Sequence, residues 1–128
     1  MSSIACVFPG QGSQHSEMLK TDLVDQSFID EKIEIVSEVL SADVYRILND
    51  ESKLNATSFT QPLLVLSSAI FSEAYKYLSL PDPKVIAGHS VGEYSALMFA
   101  ESITFEDAIK ITHLRGCLLY TSPSPRDS

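Results

Sequence analysis

Val85-Ile86-Ala87-Gly88-His89-Ser90-Val91-Gly92-Glu93-Tyr94 is the stretch that decides the fold. Three apolar residues run into Gly-x-Ser-x-Gly, and an apolar-periodic segment from Tyr94 to Ala100 follows. The order reads as strand, sharp turn, helix. Gly88 and Gly92 suit a turn too tight for side chains beside the serine, where strand and helix must also approach closely. This is the pattern of a nucleophile elbow. Ser90 stands at the tip with its hydroxyl outward, and the Val91 amide points from a helix N-terminus toward any developing oxyanion. A strand-to-helix turn also favours Gly and Ser on structural grounds alone, so a capping role for Ser90 stands beside the catalytic one.

Upstream, Ile4-Ala5-Cys6-Val7-Phe8 is a continuous apolar run that reads as a strand buried on both faces, the kind found in parallel sheets. It ends at Pro9. The loop that follows, with Gly10, Gln11 and Gly12, has a backbone free enough for its amides to converge on an anion or oxyanion; equally, it is a loop that needs positive φ. A phosphate loop is a poor fit, because no Gly-Lys-Ser/Thr follows and His15 stands where Gly-x-Gly-x-x-Gly requires its third glycine.

Between the two strand patterns lie helices. Glu17–Leu23 and Phe28–Leu40 have helical spacing, the second with Ile29, Ile33, Val36 and Leu40 on one face and acidic residues elsewhere, as on a solvated surface. Asn49–Asn55 reads as a connection around a short helical turn. Thr60 can cap and Pro62 can sit in the first turn of a helix whose span Leu63–Leu78 is apolar almost all round, hence buried. Pro81-Asp82-Pro83 stops it. Beyond the elbow, Thr104-Phe105-Glu106-Asp107 resembles a capping box, opening a helix that carries Ala108, Ile111 and Leu114 and reaches Arg115-Gly116. Strands alternating with helices predict an α/β domain with a parallel sheet.

Composition narrows the function. The chain has 128 residues and a formal charge of −8, with no run of basic residues, which argues against nucleic acid as a partner. No apolar run approaches membrane-spanning length, and the first residues show no targeting segment, so the expected setting is soluble and cytoplasmic, with an organelle still open. Cys6 and Cys117 form neither a disulfide framework nor a metal cluster, and no metal site is expected.

The motifs also occur together: Phe8-Pro9-Gly10-Gln11-Gly12-Ser13-Gln14, Leu54-Asn55 with Thr60-Gln61-Pro62, Gly88-His89-Ser90-Val91-Gly92-Glu93-Tyr94-Ser95-Ala96-Leu97, and Arg115-Gly116. In this order and spacing, from Ile4 through Gly116, the chain resembles the malonyl-CoA:acyl-carrier-protein transacylase family. The resemblance implies the α/β-hydrolase-like large subdomain of the acyltransferase fold. It implies a ping-pong transfer in which Ser90 takes malonyl from coenzyme A and gives it to the phosphopantetheine thiol of acyl carrier protein, with no permanently bound cofactor. The amides of Gln11 and Val91 match the family's oxyanion hole, and Arg115 matches its malonyl-carboxylate ligand. In isolation Arg115 would read as a late-helix cation complementing the helix dipole. The family's base is a histidine farther along the chain, so His15, His89 and His113 are not assigned that role; Glu17 stands near a place where the family usually has glycine. The start of the chain so close to its first strand looks like that of a stand-alone enzyme as opposed to a synthase domain, and the full-length enzyme is expected to be monomeric.

Family members run on for more than this chain's own length beyond Gly116, supplying the catalytic histidine and a ferredoxin-like small subdomain. The expected organisation is therefore residues 1–116 as the N-terminal part of an acyltransferase domain, with an incomplete sheet, and residues 117–128 as a non-native tail. Back-translated, Cys117 through Asp127 resemble a sequencing adapter read in frame. The chain as written is expected to be inactive, because a serine without its base is a weak nucleophile. Two other readings compete: a serine esterase with the same elbow but no use for Arg115 as a clamp, and a non-catalytic module that binds acyl carrier protein or coenzyme A. Malonyl and methylmalonyl are not distinguished.

Overall fold

The computed structural model describes residues 3–121. Two strands, β1 (Ala5–Phe8) and β2 (Val85–Gly88), enclose between them in sequence the helices α1 (Gln26–Leu40), α2 (Val44–Leu48), α3 (Glu51–Leu54) and α4 (Thr57–Tyr77). After β2 come α5 (Gly92–Phe99) and α6 (Phe105–Thr121). The strands pair in parallel, with Ala5 opposite Val85 and Phe8 opposite Gly88. Both strands therefore end at the same level, and the loops that leave them emerge side by side. The α/β class with a parallel sheet is observed as the sequence predicts.

Helix α4 is the hub. Leu63, Leu64, Val65, Leu66 and Ile70 are all buried, and α1, α5 and α6 pack around them. The strongly apolar α4 sequence is thus explained by contact on several sides. Its N-cap is Ala56, four residues earlier than the Thr60 cap predicts. Thr60 lies buried one turn in, where its hydroxyl donates to the carbonyls of Leu54 and Ala56 and joins α3 to α4. Pro62 falls in the second turn and leaves the Ser58 carbonyl without its helical donor. His113 of α6 fills that vacancy: its Nδ1 lies 2.9 Å from the Ser58 oxygen, so the ring carries its proton on Nδ1 and donates.

Other expectations need correction. Residues 17–23 form turns, not a helix: Met18 and Lys20 bond only three residues back, and the Thr21 side chain takes the Leu23 amide. Helix α2 was not anticipated, although Asp43 caps it by accepting from the Tyr45 amide. In α6 Ala108, Ile109, Thr112 and Gly116 are buried, whereas Ile111 and Leu114 are 41% and 60% exposed. The cap that opens α6 is as predicted, with the Thr104 hydroxyl accepting from the Asp107 amide. Helix α6 continues past Gly116 to Thr121, since Cys117, Leu118 and Leu119 sustain it; the rest of the expected tail lies outside the described residues.

The strands are not buried on both faces. Cys6 and Phe8 face α4 and α5, where Phe8, Phe71, Tyr75 and Phe99 form an aromatic cluster. On the opposite face Val7 is 71% and Val85 56% exposed, and Ala5 and Ala87 are exposed too. Their apolar character is that of an interior surface, but α4 and α5 both lie on the other side.

Candidate active site

The site begins with the register. Because Phe8 pairs with Gly88, the Gly10 loop and the Ser90 turn leave the sheet as neighbours. The His89 amide extends the ladder by donating to the Phe8 carbonyl at 3.2 Å, and the Gly92 amide closes the turn on the His89 carbonyl at 2.9 Å. Ser90 at the tip has φ 57°, a left-handed conformation that L-residues rarely adopt. That strained backbone turns the serine out of the strand direction and leaves it exposed, as an elbow requires.

Close approach explains the flanking glycines. A Cβ on Gly88 would lie 1.9 Å from the Gly92 carbonyl oxygen, and one on Gly92 would lie 2.2 Å from the Phe8 oxygen. All of these neighbours are backbone, so β1, β2 and α5 meet there with no room for a methyl group. The Gly10 loop presses on the elbow in the same way: a Cβ on Gly10 would lie 2.7 Å from the His89 oxygen.

The loop is also tied from behind. Gln11 Nε2 donates to Thr57 Oγ1 at 3.1 Å. Gln14 makes two bonds: its Oε1 accepts from the Gly12 amide at 2.7 Å, and its Nε2 donates to Asn55 Oδ1 at 2.7 Å. The α3–α4 junction thereby holds the glycine-rich loop in one conformation, with Gly12 at φ 114°. Among the described residues, neither the Gln11 nor the Val91 amide donates to a protein acceptor. Two backbone donors are left available, one on each side of the paired strand ends.

Arg115 comes from α6, at the far end of the sequence. Its Nη1 donates to Gln61 Oε1 at 2.8 Å, its Nη2 reaches Ser90 Oγ at 3.3 Å, and its Cζ lies 5.9 Å from the centre of the Tyr94 ring. Gly116 makes this reach possible. A Cβ there would sit 2.6 Å from the Thr57 oxygen, so α6 crosses α4 at near backbone contact. The helix accepts the roughly 1 kcal/mol propensity cost of an internal glycine at that crossing. No carboxylate pairs with Arg115 among the described residues. A guanidinium held by neutral groups beside a serine hydroxyl is suited to an anion.

The histidines lie elsewhere. His89 is exposed at the turn, His15 lines a cavity of about 270 Å³ beside Val7 and Phe71, and His113 is engaged with Ser58. Among the described residues, none of them bonds to the Ser90 hydroxyl. A cavity of about 510 Å³ is lined by α1, α4 and the α5–α6 connection and includes none of the elbow residues. No three His, Cys, Asp or Glu side chains cluster to hold a metal, and no helix is long and apolar enough to cross a membrane, among the described residues.

A parallel α/β unit with a strained serine between strand and helix, facing a glycine-rich loop, belongs to the class of proteins built around a nucleophile elbow. Comparison with known proteins narrows that class. The chain belongs to the acyl transferase domain family, whose model matches residues 5–128. It is similar to the malonyl CoA-acyl carrier protein transacylase of Haemophilus influenzae, 38% identical over 125 residues, covering 93% of this chain and 39% of that protein. It is also similar to the protein of the same name from Staphylococcus aureus strain COL, 39% identical over 124 residues, covering 93% of this chain and 38% of that one. Among solved structures, an acyl carrier protein S-malonyltransferase from Vibrio cholerae superposes with a TM-score of 0.84 at 42% identity, covering 97% of this chain and 42% of that one. A malonyl-transacylase solved in complex with its type II PKS acyl-carrier protein gives 0.83 at 38% identity, covering 95% of this chain and 40% of the other. The chain spans about two fifths of the length of these relatives. The fold is accordingly part of the large α/β subdomain of the acyltransferase fold.

Proposed function

We propose that the polypeptide carrying this stretch transfers a malonyl group from malonyl-CoA to the phosphopantetheine thiol of an acyl carrier protein. The observation that carries the reading is Arg115, free of any carboxylate among the described residues and 3.3 Å from Ser90. The Ser90 oxygen attacks the thioester carbonyl, the carbon–sulfur bond breaks, and coenzyme A leaves as its thiol. The serine's proton passes through a general base, which the family resemblance places beyond Gly116. The carrier's thiol then attacks the Ser90 ester and regenerates the hydroxyl. In both half-reactions the Gln11 and Val91 amides take the oxyanion, a role in which one donor is typically worth about 3–4 kcal/mol. Arg115 holds the malonyl carboxylate, which an acetyl group lacks. No resident cofactor is required: malonyl-CoA and the carrier's phosphopantetheine bring the reacting groups. Malonyl transfer to a carrier protein is supported by the names of the relatives and by the carrier complex of one of them; the reading takes the enzyme as a cytoplasmic monomer.

Replacing Arg115 by alanine in the complete product of the source gene tests this. The kcat/KM for malonyl-CoA is expected to fall about 100-fold relative to that for acetyl-CoA, the worth of a charge-assisted pair. An unchanged ratio would favour a simple esterase.

For the 128-residue chain itself we propose no turnover, with native sequence ending at Gly116 and a foreign tail following. Incubation with malonyl-CoA, followed by intact-mass measurement, is expected to show no malonyl adduct on Ser90. An adduct formed at the rate of a relative such as the Haemophilus influenzae transacylase would refute the proposal.

A further inference from the structure

Gln61 is 1% exposed on α4, and its amide oxygen is the acceptor that fixes Arg115, at 2.8 Å. Arg115 is half-buried; a carboxylate partner for an arginine supplies both geometry and counter-charge. Here only geometry is supplied. Gln61 occupies one edge of the guanidinium and points the other toward Ser90, while Tyr94 offers a ring and again no charge. Pro62 and Gly116 hold the arrangement on either side: Pro62 frees the Ser58 carbonyl that anchors His113, and Gly116 brings α6 against the start of α4.

We infer that Gln61 is a specificity-determining positioning residue: it orients Arg115 without neutralising it, so that the acyl group must bring the negative charge. The inference rests on the proposed role of Arg115 as the ligand of an acyl carboxylate. A glutamate at position 61 would keep the shape and the acceptor oxygen but would satisfy the guanidinium internally. A malonyl carboxylate would then meet a neutral pair and a competing anion. Acetyl has no charge to be repelled.

The test is Gln61→Glu in the complete gene product, with kcat/KM measured for malonyl-CoA and acetyl-CoA on the same preparation. Their ratio is independent of how much of the protein is folded. The ratio is expected to fall by about 10- to 100-fold, mainly through KM for malonyl-CoA, with acetyl-CoA little changed. Should the glutamate variant fail to fold, Gln61→Met takes its place. Methionine keeps the volume and removes the acceptor, and the ratio is again expected to fall, because the fork loses its anchor. Arg115→Ala is measured alongside. If that variant keeps the malonyl preference, the carboxylate reading of Arg115 has failed. If Arg115→Ala collapses the ratio while the position-61 variants leave it within about twofold, the role assigned to Gln61 alone is overturned.

Discussion

Ser90→Ala in the complete gene product is expected to abolish malonyl transfer, with a loss on the order of 10⁶-fold, the scale seen when a serine nucleophile is removed from a hydrolase. The substitution is well suited to isolating chemistry from structure. Ser90 is exposed, its hydroxyl reaches Arg115 only at a long 3.3 Å, and alanine places the same Cβ on the same left-handed backbone. The fold should therefore survive, and malonyl-CoA should still bind. The check is a mass spectrum of protein quenched after mixing with malonyl-CoA: the parent protein gains one malonyl group and the variant gains none. A variant that acquires the group as fast as the parent would place the nucleophile elsewhere. One that functions as well as the parent without any adduct would support a binding module with no covalent chemistry.

Gly92→Ala is expected to lower stability severely. The added methyl would stand 2.2 Å from the Phe8 carbonyl oxygen and 2.9 Å from that of Pro9. Both belong to backbone at the end of a paired strand, so no side chain can rotate away. Relief requires α5 to move off the sheet, which breaks the contact of Phe99 with Phe8 and Tyr75. A destabilisation of about 4 kcal/mol or more follows, at the severe end for single substitutions. Thermal or urea unfolding of the complete gene product measures it. A fall in Tm of less than about 5 °C would mean that the crowded backbone yields cheaply.

These two positions were readable in the sequence for the same reason. An elbow is local: strand, two glycines, serine and helix are contiguous, and each residue type answers to a steric demand of its neighbours. The site's remaining members are joined across the chain, and there legibility declined. Gln11 and Gln14 belong to a recognisable motif, yet nothing near them in sequence indicates that Thr57 and Asn55 receive their side chains. Gln61 was legible only as part of the Thr60-Gln61-Pro62 motif, and its meaning appears only with Arg115 against it. The signal available was its adjacency to Pro62, since a helix that tolerates an internal proline has a neighbour that compensates.

Hydrophobic pattern misled where it assumed neighbours on every side. Val7 read as an interior residue but is open. Apolar character records what a surface is suited to meet. Within the described residues that partner is not there.

The parallel register has a consequence for the order in which the molecule forms. Ala5 must find Val85 across the whole of α1 to α4, whereas the contacts that build the helical block around α4 are more local. Long-range pairing closes a large loop and comes slowly, after shorter-range contacts have lowered its entropic cost. During synthesis β1 leaves the ribosome long before its partner and has to wait. The glycine-rich loop and the serine are thus strangers until the two strands pair, and reactivity at Ser90 depends on that pairing.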